Sequence, residues 1–70
     1  MNFDDVSDAM MLIYDTLRDD EESESLIEKI DEAESDNEII EGIKEAIDRL
    51  RIVNPAVAKE VEKKTKSFMV

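Results

Sequence analysis

Residues 3–17 read Phe3-Asp4-Asp5-Val6-Ser7-Asp8-Ala9-Met10-Met11-Leu12-Ile13-Tyr14-Asp15-Thr16-Leu17. Phe3, Val6, Met10, Ile13 and Leu17 recur at steps of 3, 4, 3 and 4, which sets five apolar side chains on one stripe of an α-helix. Asn2 is placed to cap the first turn, and Asp4 and Asp5 lie where the positive end of the helix dipole favours carboxylates. The helix is predicted to end near Arg18 to Asp20, where a run of charges has no apolar residue in step. Met10 to Tyr14 is an unbroken apolar or aromatic run, and it covers more of the helix circumference than one-sided burial uses. Met11, Leu12 and Tyr14 are the surplus. Either this helix is central and buried on two sides, or the three side chains form a contact surface, for which adaptable Met and an anchoring Tyr are suited.

Outward from this helix, Asp19-Asp20-Glu21-Glu22-Ser23-Glu24 reads as a hydrophilic connector. Ser25-Leu26-Ile27-Glu28 then has the spacing of a capping box, followed by an apolar face of Leu26, Ile27, Ile30 and Ala33, so a second helix is expected from Ser25 to about Glu34. Ser35-Asp36-Asn37-Glu38 repeats the capping pattern and predicts a third helix, against the competing reading of one long helix through both segments. Its stripe is Ile39, Ile40, Ile43, Ala46, Ile47 and Leu50, with Glu45 and Arg49 expected to pair four residues apart. Gly42 weakens it by roughly 1 kcal/mol unless a neighbour packs closely there. Asn54-Pro55 marks a stop and a start, since proline disfavours helix in the residue before it and suits the first position of a new one. The fourth helix carries a sparse face of Val57, Ala58, Val61, Thr65 and Phe68, with lysines opposite and a C-terminus expected to fray at Met69 and Val70. The predicted fold is all-α: a small antiparallel bundle of three to four short helices in a single domain spanning residues 1–70.

Seventy residues support one thin core, which contributes roughly 3–5 kcal/mol of net stability. Cysteine and histidine are both absent, so neither disulfides nor a Cys or His metal site supplements it. The same absence removes Cys-based and Ser-His catalysis, and a core this small encloses little of any substrate. The chain is therefore read as a non-enzyme with no cofactor and no catalytic residues. A calcium loop started at Asp19 places Glu24 where glycine is required and Ile30 where a bidentate glutamate is required. No metal site is expected. The sole glycine sits inside a helical stripe, which leaves no phosphate cradle. Ser25 and Ser35 each precede an acidic residue by three, as an acidophilic kinase accepts, but helix starts explain the same spacing. With no secretory leader pattern and no apolar run long enough to span a bilayer, the chain is expected to be cytoplasmic, with no membrane partner.

Charge is the most informative property. Residues 1–35 hold 13 acidic and 2 basic side chains, while residues 36–70 hold 7 of each, so the whole net charge of −11 resides in the first half. Direct nucleic-acid binding through Lys59, Lys63, Lys64 and Lys66 would work against that field. The expectation is a small acidic regulator or inhibitor of another protein, steered onto a basic nucleic-acid-binding surface in the manner of a DNA mimic. The residues expected to touch the partner are Asp15, Asp19, Asp20, Glu21, Glu22, Glu24, Glu28, Asp31 and Glu32, with Met11 and Tyr14 as an apolar anchor. The alternative is a structural protein that self-associates, as a homodimer, through the apolar patch on the first helix.

Repulsion within the acidic half makes a direct prediction. Added salt at neutral pH should raise the melting temperature, and acidification from about pH 7 to about pH 5 should not lower it, because protonation first relieves repulsion. A melting temperature that falls steadily across that interval would contradict the charge-repulsion account.

Overall fold

The structure, a computed structural model, describes residues 3–66. The readings made above for Asn2, the Phe3 side chain, Phe68, Met69 and Val70 lie outside the described residues. Among those described, all regular structure is helical: α1 (Phe3–Leu17), a 3-10 turn (Glu21–Ser23), α2 (Glu24–Asp31), α3 (Asp36–Val53) and α4 (Pro55–Thr65). The helix α1 lies against α4 and α3, α4 also lies against α3, and α2 packs on α3. The radius of gyration is 10.8 Å, close to the ~11 Å of a compact chain of this length. Among the described residues no helix is long and apolar enough to cross a membrane.

The core follows from the stripes. Ala9, Ile13 and Leu17 of α1 meet Ile30 of α2, Ile43, Ala46, Ile47 and Leu50 of α3, and Ala58 and Val61 of α4. Val6 is buried as well, whereas Met10, expected inside, is only half-buried and Ala9 takes the interior position. On a helix Ala9 and Met10 flank the line through Val6, Ile13 and Leu17 on opposite sides, and the Ala9 side is the one turned into the core. Leu12 and Tyr14 are half-buried and pack on the core edge, which leaves Met11 as the exposed member of the surplus trio. Ile52 and Val53, at the end of α3, are exposed too.

Two of the three predicted boundaries form as the local chemistry directs. Ser35 accepts the Glu38 N–H at 3.3 Å, and the Glu38 carboxylate reaches back to accept the Glu34 N–H at 3.0 Å. Asn54 closes α3 by donating its N–H to Leu50 at 2.7 Å, and opens α4 with its side chain accepting the Val57 N–H at 3.4 Å, with Pro55 in the first turn. The boundary before α2 differs. The helix begins at Glu24 rather than Ser25 and ends at Asp31 rather than about Glu34, so the Ser25–Glu28 capping box does not form. The connector is itself a 3-10 turn leading into α2. Buried polar groups are satisfied: the Ser23 hydroxyl donates to Asp20 and that of Thr65 to the Val61 carbonyl at 2.8 Å.

At Gly42 α2 lies close against α3. A Cβ placed there would lie 2.6 Å from Cγ1 of Ile30, the stiff end of a β-branched side chain. The missing methyl therefore lets Ile30 sit on the α3 backbone. Gly42→Ala should gain roughly 1 kcal/mol in helix propensity but lose ~1–3 kcal/mol to overpacking. The expected net outcome is a loss of about 1 kcal/mol, or about 5 °C in melting temperature for a domain of this size. A variant stabilised by urea unfolding would mean that Ile30 does not hold this position.

Candidate functional site

The acidic candidates lie along the last turns of α1, the 3-10 turn and α2, and the structure sorts them into two kinds. Asp20 and Glu22 are engaged by Arg49 of α3. Its Nε and Nη2 donate to the two oxygens of Asp20 at 2.7 and 3.1 Å, and its Nη1 lies 3.0 Å from Glu22 Oε2. This is the forked geometry in which guanidinium and carboxylate match best. The Glu45–Arg49 pair expected from helical spacing does not form, because Arg49 turns to the connector and Glu45 pairs with Lys29 at 3.0 Å. Asp20 also accepts the Ser23 hydroxyl at 2.7 Å. The Arg49 and Ser23 hydrogen bonds hold the Asp20 carboxyl at a pKa of about 2, and the same bond raises the Arg49 guanidinium above its ordinary value.

Asp31 is the third engaged carboxylate, accepting the Tyr14 hydroxyl at 2.5 Å across the α1–α2 junction. Burial, then this hydrogen bond and the charge of Asp31, push the Tyr14 phenol up to about 12. It therefore stays a donor throughout the neutral range. The remaining six candidates, Asp15, Asp19, Glu21, Glu24, Glu28 and Glu32, are exposed and form no ion pair among the described residues. Asp19, Glu21, Glu24 and Glu28 line an open groove with Arg18 and Ile27, neither of which was singled out from the sequence. Among the described residues no three carboxylates gather closely enough to hold a metal ion.

The apolar candidates separate as well. Met11 is 61% exposed, and with Val6, Ser7, Met10 and Tyr14 it lines a shallow cleft on α1. The lysines of α4 face a different groove: Lys63, Lys64 and Lys66 line it together with Asp5 and Glu60, and Lys64 lies 3.7 Å from Asp8 of α1. Positive charge at the C-terminal end of α4 is thus offset by carboxylates beside it. Comparison of the chain with protein-family models, with curated protein sequences and with solved structures finds no match.

The Asp20–Arg49 lock has a pH signature whose sign is determined. The folded-state pKa, about 2, lies below the ~3.9 of an unfolded aspartate. Its stabilisation is therefore complete above that unfolded value and is lost as pH falls through about 2. Asp20→Asn should cost a constant increment of stability from about pH 7 to about pH 5, and the gap to the wild type should narrow below about pH 4. Urea unfolding across a pH series measures it, and a gap of equal size down to the acid end would show that the carboxylate charge does not hold the connector.

Proposed function

We propose that this chain is a small acidic regulator or inhibitor that binds another protein, laying its carboxylate surface on the basic, nucleic-acid-binding face of that target. The observation that supports the reading is the set of six exposed, unpaired carboxylates on the α1 end, the 3-10 turn and α2. Uncompensated charge on one side of a small body steers association strongly. Glu24, Glu28 and Glu32 follow one another at four-residue steps, about 6 Å apart along the helix axis. Duplex DNA carries one charge per about 3.4 Å of each strand. One face of α2 thus offers roughly half the line density of a DNA strand, enough to compete for a basic surface when the α1 end and the turn add their charges. We take the neighbouring helices to run antiparallel, as their short connections favour, and set the protein in the cytoplasm, where a chain without cysteine forgoes nothing.

Self-association through α1 is the second reading, and the exposure of Met11 favours it. Two copies would, however, bring Asp8 and Asp15, one turn to either side of Met11, against their own kind. The test is affinity capture from a native extract at low and high salt, followed by association kinetics with the protein recovered. Because Asp20 and Glu22 serve the fold, the informative variant replaces Asp19, Glu21, Glu24 and Glu28 by their amides. Association should slow by on the order of tenfold and lose most of its salt dependence, with helicity unchanged. Unaltered association by this variant would leave the carboxylates as a solubilising surface only.

A further inference from the structure

The cleft on α1 is apolar, and a separate depression that carries Asp8 and Asp15 lies beyond Met11. Val6, Met10 and the Tyr14 ring form its lining, and Met11 stands at its outer edge. The far side of Met11 borders a second depression shared with Asp8, Leu12, Asp15 and Lys64. On a helix, residues three before and four after a given position share its side, so Asp8 and Asp15 flank Met11 by one turn each way. Asp31 adds a third carboxylate through its bond to the Tyr14 hydroxyl. Asp15 has no cation partner among the described residues, and Asp8 has only Lys64, at 3.7 Å.

We propose that this cleft docks a basic amphipathic helical segment of the target protein. An aliphatic side chain of that segment enters between Met10, Met11 and Tyr14, while Lys or Arg side chains a turn to either side meet Asp8 and Asp15. Charge complementarity selects this occupant: a second copy, an anionic membrane and a nucleic acid would each bring negative charge to the Asp8 and Asp15 carboxylates beside the cleft. The apolar floor asks for a side chain that a purely electrostatic partner does not provide, and a polarisable Met beside an aromatic ring accommodates one of variable shape. The proposal rests on the reading of the protein as an acidic protein-binding regulator and names the partner's local chemistry. In this arrangement the carboxylates set how fast the complex forms, and the cleft sets how long it lasts.

The probe is a synthetic leucine–lysine amphipathic peptide of about 18 residues, long enough to hold a helix, titrated against the full chain. One control peptide has every leucine replaced by glutamine and another has every lysine replaced by glutamate. The leucine–lysine peptide should shift the backbone amides of residues 6–15 and bind at least about tenfold tighter than its glutamine control. Met11→Ala, an exposed substitution whose helicity is checked by circular dichroism, should raise the dissociation rate by on the order of tenfold. The double variant Asp8→Asn, Asp15→Asn should instead slow association and flatten its salt dependence. Equal affinity for the leucine and glutamine peptides, or amide shifts confined to residues 19–32, would reject the cleft while leaving the carboxylate surface as the recognition element. If neither lysine peptide binds at low salt, the cleft and the regulator reading both fail. Binding of the glutamate peptide, or dimerisation of the free chain that Met11→Ala abolishes, would overturn the choice of a basic occupant.

Discussion

Arg49 reaches from α3 to a connector 29 residues earlier in the chain and sets its guanidinium between Asp20 and Glu22. The run from Asp19 to Glu24 has no apolar residue to bury, so hydrophobic burial alone gives it no reason to lie on the body. The forked pair provides that reason, aided by the Ser23 hydroxyl, which is buried and bound to the same Asp20 carboxylate. Once Asp20 is fixed in an extended conformation, the 3-10 turn starts behind it and α2 follows without a break. The position of the connector and its carboxylates therefore depends on one cation contributed by the charge-neutral half of the chain. Both partners are partly shielded, with Arg49 at 26% and Asp20 at 19% side-chain exposure, so solvent screens this pair less than a fully exposed one.

The elements that were legible in the sequence are those whose causes are local. The α1 and α3 stripes, the Ser35 cap and the Asn54-Pro55 junction each depend on residues within about one turn, where spacing alone carries the information. The start of α2 depends on a contact across the fold, and there local reasoning chose the wrong serine: Ser25 has the capping spacing, yet Ser23 is the residue at the boundary and its side chain serves Asp20. The same cause redirected Arg49 from Glu45, since a forked, partly shielded partner outcompetes an exposed neighbour one turn away. Of the candidate surface, the acidic composition was legible but not its division of labour. Nothing in the spacing distinguishes Asp20, which holds the fold, from Asp19, which faces solvent. Spacing alone separated Met11 from Met10, but not Ala9, which is fully buried, from Met10, which is half-buried.

Cations are used sparingly in this molecule. Lys29, Arg49, Arg51 and Lys64 all form ion pairs, and each joins different segments of the chain: Lys29 to Glu45, Arg49 to the connector and Lys64 to Asp8. Arg51 joins α3 to α4 through Glu62. Most of these pairs are exposed and contribute little to stability individually, but their placement decides where charge is left over. What remains is a set of exposed carboxylates without ion pairs among the described residues, on a domain with a thin core. A cationic partner would relieve repulsion among them and bind only the folded form, so binding and folding stability would rise together.

The acidic surface and the apolar cleft are also mechanically connected. Tyr14 contributes its ring to the cleft and its hydroxyl to Asp31, the last residue of α2. The lateral position of that ring is therefore referred to α2, whose opposite end is held through the connector by Arg49 and whose last turn is held by Ile30 against Gly42. A displacement of α2 would therefore move its carboxylates together with one wall of the cleft. Cations arriving at the acidic surface act on α2 directly, and through Tyr14 they act on the cleft. An apolar side chain in the cleft bears in turn on the same ring and the same helix. Under the proposed function, one ligand that carries both chemistries would engage the two surfaces together.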